Sequence, residues 1–185
     1  MENLKLVIPS LEYKNEVMAF LDEVNLIDKG YPWQYAGMSR LKNCNSYEEW
    51  IKDKENEKNG INLPNGYVPA STYLLVRTND NKVIGICNIR HTLSDFLLNY
   101  GGHIGYTIRP SERRKGYGII QLEKALEKCN DLNIDKVLIT CNEENIASAK
   151  TIEKCYGEYE NTVHMRDETL RRYWITLSKI NNIHR

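Results

Sequence analysis

The sequence predicts a mixed α/β fold, and three observations predict it. Residues 104–118 read as a strand followed by a basic turn with two glycines, after which Ile119, Leu122, Leu126 and Cys129 recur at helical spacing. Two strand-like runs, Ser71–Thr78 and Val83–His91, flank Asn79-Asp80-Asn81-Lys82, which has the composition of a hairpin turn. Further on, Lys136–Cys141 is a short apolar run of the buried, parallel type, residues 145–155 read as a helix, and two more runs close the chain as an antiparallel pair.

Taken in order, Leu4, Leu6 and Ile8 alternate as a short strand stopped by Pro9. Ser10 is the expected N-cap of a helix running to about Asp28, with Val17, Leu21 and Val24 as its buried stripe and Gly30 closing it. Residues 31–45 have no period but carry Tyr31, Trp33, Tyr35 and Met38. Ser46 caps a second helix, Tyr47 to about Lys58, whose polar half (residues 52–58) is expected to be a solvated face. After the hairpin, residues 92–102 form a longer connection containing Asp95 and ending in Gly101-Gly102. The last helix ends at Gly157, and Glu158–Met165 and Leu170–Leu177 pair around Arg166-Asp167-Glu168. Residues 178–185 are polar and expected to fray. The order is β-α-α-β-β-β-α-β-α-β-β, with no repeat or linker, so one domain spanning 1–185 is expected.

Composition excludes several functions. Lys and Arg number 25 against 25 Asp and Glu, which argues against a nucleic-acid binder. No apolar run reaches ~18 residues and the N-terminus begins no signal peptide, so a cytoplasmic protein without a membrane partner is expected. Cys44, Cys87, Cys129, Cys141 and Cys155 are scattered without a Cys-x-x-Cys pair, so neither a metal nor a disulfide framework is expected, and most should be reduced, buried thiols.

The stretch from Ile104 to Gly118 carries the chemistry. A helix N-terminus offers unpaired N–H groups and partial positive charge, and glycine lets an anion approach them. Arg113, Arg114 and Lys115 can add full charges, so the turn has the makings of a phosphate site. It is not a P-loop, because Gly118 is followed by Ile119-Ile120 and no hydroxyl is placed for magnesium. It is not a dinucleotide fingerprint, because position 121 is Gln. What remains is Arg113-x-x-Gly116-x-Gly118 directly after a strand that ends at Pro110.

This arrangement resembles the acetyl-CoA signature of the GCN5-related N-acetyltransferases, the GNAT family, and the element order is similar to the GNAT fold. Gly-Gly-His-Ile-Gly-Tyr with Arg-Pro-Ser-Glu-Arg-Arg-Lys-Gly-Tyr resembles, more closely, a bacterial subgroup of predicted acetyltransferases. The resemblance implies a mostly antiparallel sheet with a central splayed parallel strand pair and helices on both faces. It implies acetyl-CoA as co-substrate, no metal, and acetyl transfer to an amine of a small molecule or peptide. It implies that Arg113, Arg114, Lys115, Gly116, Tyr117 and Gly118 cradle the pyrophosphate, and that backbone at Tyr106, Thr107 and Ile108 binds pantetheine and acetyl. Asn145 resembles the Asn that opens the helix beside the cofactor; as a residue it also reads as an N-cap.

Acid and base are less determined. Positions 103–108 hold no carboxylate, so His103, with an ordinary pKa of ~6.5, is the candidate base, its other reading being a strand-end histidine bonded to a loop. Asp95 is a second candidate, with surface charge as its other reading. The tyrosine that family members carry as acid aligns with Ile152, and Tyr156 offers a phenol from a shifted position or packs at the helix end. The aromatic segment 31–38 and the loop 92–102 fall where the family builds acceptor sites. A non-catalytic acyl-CoA sensor is the alternative function, and the chain is expected to be a monomer or homodimer.

Overall fold

The computed structural model describes residues 3–179 of the chain. Met1, Glu2 and residues 180–185, which include most of the polar tail, lie outside them. Strands β1 (Leu4–Val7), β2 (Ala70–Arg77), β3 (Lys82–Arg90) and β4 (Ile104–Ile108) form one antiparallel sheet in the order β1-β2-β3-β4. Strands β5 (Lys136–Asn142), β6 (Glu158–Met165) and β7 (Glu168–Thr176) form a second, in the order β5-β7-β6. This is the mixed α/β architecture that the resemblance implies.

Helices cover both faces of the first sheet. Helix α1 (Lys14–Ile27) and helix α2 (Tyr47–Lys58) bury Val17, Phe20, Val24 and Trp50 against Leu74, Val76, Val83 and Ile86. Helix α3 (Tyr117–Asp131) and helix α4 (Ile146–Lys154) bury Leu122, Ala125, Leu126 and Ile152 with Cys87, Ile89, Ile104 and the β5 residues Val137 and Ile139. Each Val, Leu, Ile or Phe among them contributes about 1.5–3 kcal/mol when fully buried. A bulge lets β2 pair Leu75 with Gly85 but Val76 with Val83. The intervening Ile84 thereby turns its carbonyl to the amide of Arg109, at 2.8 Å.

Several expectations are corrected. Ser10 does not cap α1 with its side chain; a short 3-10 turn, Leu11–Tyr13, precedes the helix, and the Ser10 carbonyl accepts from the Tyr13 amide. Ser46 does cap α2, accepting from the Glu49 amide. The polar half of α2 is not all solvated: Lys54 and Glu57 are buried and paired at 2.6 Å, and Ser39 and Asn88 bond to the Glu57 carboxylate. A buried charge is tolerated when it is paired and hydrogen-bonded. The 92–102 connection contains a π-helical turn, Leu97–Gly101, closed by the Gly102 amide on the Leu97 carbonyl. Strand β5 is buried as expected, but its ladder is antiparallel, to β7.

Candidate active site

The site lies where the two sheets part. At its inner end β4 and β5 are clasped: the His103 amide donates to the Leu138 carbonyl at 2.7 Å, and the Leu138 amide donates to His103 Nδ1 at 2.9 Å. From there no ladder joins the strands, and a cleft of about 830 Å³ opens between Ile104–Ile108 and Thr140–Asn142. Both strands run from the clasp toward the cleft, hence in the same direction.

The phase of the β3–β4 ladder fixes what β4 presents to that cleft. The Arg90 amide bonds to the His103 carbonyl and the Arg109 amide to the Ile84 carbonyl. Alternation in an antiparallel ladder then turns the His103 carbonyl and the groups of residues 105, 107 and 109 toward β3. The N–H and C=O groups of Ile104, Tyr106 and Ile108 point the other way, along the open edge. The Ile108 carbonyl is taken by Arg113 Nε at 3.0 Å, which leaves the groups of Tyr106 and Ile104 facing the cleft.

The basic turn forms the outer end. Gly116, left-handed at φ 84°, is the N-cap of α3, and the Ile119 and Ile120 amides turn back to its carbonyl. Arg113, Arg114, Gly116, Tyr117 and Gly118 line the cleft, and Lys115 sits beside them on the surface. The charges divide their work. Arg113 forms a bidentate pair with Asp28, one arm at 2.7 Å, so it is a brace rather than a free cation. Lys115 pairs with Glu112 at 2.7 Å. Burial alone would raise the Glu112 carboxyl, but Lys115, Lys82 and Arg77 outweigh it and hold it down at about 2. Arg114 is the cleft-lining cation without an ion pair among the described residues.

A Cβ built on Gly118 would lie 3.4 Å from Thr151 Oγ1 and 3.9 Å from Ile108 Cγ1, both ordinary contacts with cleft-lining groups. Gly118→Val is therefore expected to fold with a melting temperature near that of the parent, while its methyls fill the cleft beside the helix N-terminus. CoA should raise the parent's melting temperature, in line with a gain of ~2.7 kcal/mol at one hundred times Kd, and leave the variant's unchanged. A variant stabilised by CoA as strongly as the parent would place the phosphate elsewhere.

Other predicted residues are placed as follows. Asn145 is the N-cap of α4, its Oδ1 accepting from the Ser148 amide, and it also lines the cleft. Tyr106, Thr107 and Ile108 line it too. His103 does not: it is 7% exposed and spent on the clasp, and burial together with Arg90 depresses it to about 4. With Nδ1 accepting, its proton sits on Nε2. Asp95 is exposed and outside the cleft. Tyr156 is neither packed in the core nor in the cleft; it takes the left-handed position (φ 65°) after α4 and is 46% exposed. The neighbouring Gly157 is needed because a Cβ there would meet Ile152 Cγ2 at 2.4 Å.

Sequence reasoning missed two groups that the fold gathers, and the segments it marked for the acceptor supply a third. The Tyr106 hydroxyl lies 3.0 Å from Ser148 Oγ, and both line the cleft; Ser148 is three residues after the Asn145 cap, which was the available signal. Burial raises the Tyr106 phenol above its ordinary range. Glu168, at the start of β7, is a half-buried carboxylate with no ion pair among the described residues, beside Met165 and Leu170. Tyr31 and Trp33, stacked with ring centroids 4.9 Å apart, and Tyr100 complete the wall. The segment carrying them reaches β4 itself: a Cβ on Gly37 would lie 2.7 Å from the Gly105 carbonyl oxygen and 2.8 Å from Tyr106 Cα.

Among the described residues no group of three or more His, Cys, Asp or Glu side chains could hold a metal ion, and no helix is long and apolar enough to cross a membrane. All five cysteines are free, and all but Cys44 are buried.

Residues 16–156 match the family described as the acetyltransferase (GNAT) domain. No curated protein matches the sequence. Solved structures similar in fold include a putative ribosomal-protein-serine acetyltransferase from Vibrio cholerae, at 16% identity over 95% of each chain with TM-score 0.65. Mutant forms of the spermidine/spermine N-acetyltransferase SpeG from Vibrio cholerae are similar at 16% identity, over 99% of this chain and 100% of that one, with TM-score 0.63. The microcin self-immunity acetyltransferase MccE, solved with acetyl-CoA and AMP, is similar at 19% identity, over 95% of this chain and 93% of that one, with TM-score 0.62. At such identities these likenesses speak to the fold alone.

Proposed function

The chain belongs to the GNAT acetyltransferase family, and on that premise we propose that it transfers the acetyl group of acetyl-CoA to an amine by direct attack on the thioester. The observation that carries the reading is the open edge of β4, which leads from the glycine turn to the Tyr106–Ser148 hydroxyl pair within one cleft. The residues present fit the co-substrate: a helix N-terminus and Arg114 suit the pyrophosphate, and unpaired strand groups suit the amides of pantetheine.

Acetyl-CoA supplies a thioester whose carbonyl carbon gains a C–N bond as its C–S bond breaks. The Tyr106 N–H, on the open edge, donates to the carbonyl oxygen and stabilises the charge developing there. Glu168 takes the proton that the incoming ammonium must lose. The Ser148 hydroxyl, held by Tyr106, donates a hydrogen bond to the departing sulfur, which leaves as a thiolate and takes up the second proton of the attacking nitrogen. Cys141 also lines the cleft, but burial pushes its thiol up to about 11. Near neutral pH only ~10⁻⁴ of it is thiolate, too little for an acyl-enzyme route.

The acceptor is an amine on a small molecule or a peptide; ribosomal proteins and spermidine are named for two of the structural relatives. The test is an acceptor panel with acetyl-CoA, reading free thiol. An acyl-CoA sensor would bind CoA yet release no thiol with any acceptor. With a working acceptor, Glu168→Gln should lower kcat/KM by ~10²-fold or more, while Glu144→Gln, at an exposed cleft residue, should stay near the parent. Equal effects of the two changes would remove Glu168 from the base role.

A further inference from the structure

We infer that the Asp28–Arg113 pair is a positioning device that couples the cofactor turn to the acceptor-side segment 29–38. This rests on the acetyl-CoA reading of the cleft.

The Asp28 carboxylate is almost wholly buried, and both its oxygens engage the Arg113 guanidinium. The same guanidinium holds the Ile108 carbonyl through Nε. One planar side chain thus fixes three things at once: the end of β4, the start of the glycine turn, and the C-terminus of α1. Asp28 is the C-cap residue of α1, and its carbonyl accepts from the Tyr31 amide at 3.1 Å. The aromatic segment therefore begins directly from the residue that grips the turn.

The grip does not stand alone. Glu23, earlier on α1, accepts from Arg109 Nε at 2.6 Å and from the Ser111 amide at 3.1 Å. Glu16, a further two turns back, accepts from Arg109 Nη1 at 2.7 Å. Glu16, Glu23 and Asp28 thus strap residues 109–113 to one helix. Only the Asp28 contact sits in the cleft, where Asp28, Arg113, Tyr31 and Trp33 all form wall.

An anion seated on the turn restrains residues 113–118. Because Arg113 is held by a bidentate fork, that restraint passes to Asp28 and to the segment after it. A ligand shifts a distant segment only through differential interaction with its states, and here the fork supplies it. Coupling is reciprocal: an ordered 29–38 segment tightens CoA by the same factor.

The test is amide hydrogen exchange of the full chain with and without CoA. In the parent, CoA should slow exchange at 113–119 and, by ~5-fold or more, at 29–38, a factor at the lower end of ordinary coupling. In Asp28→Asn, protection at 113–119 should persist while that at 29–38 falls below ~2-fold. Arg113→Lys keeps the charge but loses the fork and should uncouple in the same way; it carries the test if Asp28→Asn fails to fold. Asp28→Glu, which keeps the carboxylate, should restore part of the 29–38 protection, which loss of a merely structural residue would not explain. Protection of 29–38 retained in both Asp28→Asn and Arg113→Lys would overturn the inference, as would parent protection confined to the turn. No protection at 113–119 in the parent would instead sink the cofactor reading beneath it.

Discussion

Gly37→Ala is expected to lower the melting temperature by roughly 4–20 °C and to reduce acetyl transfer by ~10²-fold. Two costs add. Gly37 has φ 77°, a left-handed backbone that costs an L-residue about 1–2 kcal/mol. Its Cβ would also sit 2.7–2.8 Å from the carbonyl oxygens of Gly105 and Ile86 and from Tyr106 Cα. These are backbone atoms of paired strands and cannot swing aside as a side chain would, so overpacking adds ~1–3 kcal/mol. For a chain of this size each kcal/mol moves the midpoint by about 2–4 °C. Relief can come only by lifting the 31–40 segment or by shifting β4, and β4 carries the Tyr106 amide. A misplacement of ~1 Å at a reacting group costs on the order of 10²-fold in rate. Gly30→Ala is the control: Gly30 is also left-handed at φ 88°, but a Cβ there meets nothing within 4 Å. Thermal unfolding and thiol release of the two variants decide the matter. Matching behaviour would show that the approach of Gly37 to β4 carries no energy.

The second large effect concerns His103. His103→Ala leaves the Leu138 amide buried without its acceptor, a loss of ~1–3 kcal/mol before any cavity cost. The wild type should show an acid dependence from the same residue. Burial, then Arg90, hold the folded-state value at about 4, below the ordinary 6.5. The unfolded chain therefore binds a proton that the folded one refuses. The stabilisation is complete above pH ~6.5 and is lost as pH falls toward 4, by as much as ~3 kcal/mol. His103→Asn sharpens the test, since its Oδ1 can accept from Leu138 yet cannot be protonated in this range. It should keep most of the neutral stability and flatten the acid slope, as read by urea unfolding between pH 4 and 7. Its kcat/KM should stay within a few-fold of the parent. A ~10²-fold loss in His103→Asn at full stability would make His103 the base after all.

Much of this molecule was legible from periodicity and punctuation. The alternation of Leu4, Leu6 and Ile8, the Asn79–Lys82 turn and the spacing of Leu122, Leu126 and Cys129 are local signals, and each produced the element it announced. Ser46 and Asn145 capped the helices they precede because capping needs only neighbours in sequence. The misreadings were those where a residue's meaning is supplied from far along the chain. Arg113 was read as a phosphate ligand without its brace, because its partner Asp28 lies 85 positions away. Lys54 and Glu57 looked solvated because a charged stretch is usually so; their burial depends on Ser39 and Asn88 arriving from other elements. His103 had the chemistry of a base, but its location was decided by Leu138 on a strand of the other sheet. Tyr156 occupies a left-handed turn position more typical of glycine, and no local rule foretold its exposure. Glu168 was read only as part of a turn, because nothing in its sequence neighbourhood marks it as lining the cleft.

The partition of strands between the sheets also bears on how the chain matures during synthesis. The first sheet is complete once residue 108 has emerged, and α1 and α2 can close one of its faces at once. Its other face presents Cys87, Ile89 and Ile104 with nothing yet to cover them. That cover comes from α3, β5 and α4, which a ribosome adding ~5–20 residues per second delivers only some seconds later. During that interval the nascent half-protein holds an apolar surface beside the unpaired edge of β4, the combination that recruits neighbouring chains and chaperones. The unpaired edge that later serves as the reaction site is thus, for a few seconds of every molecule's life, its most vulnerable surface.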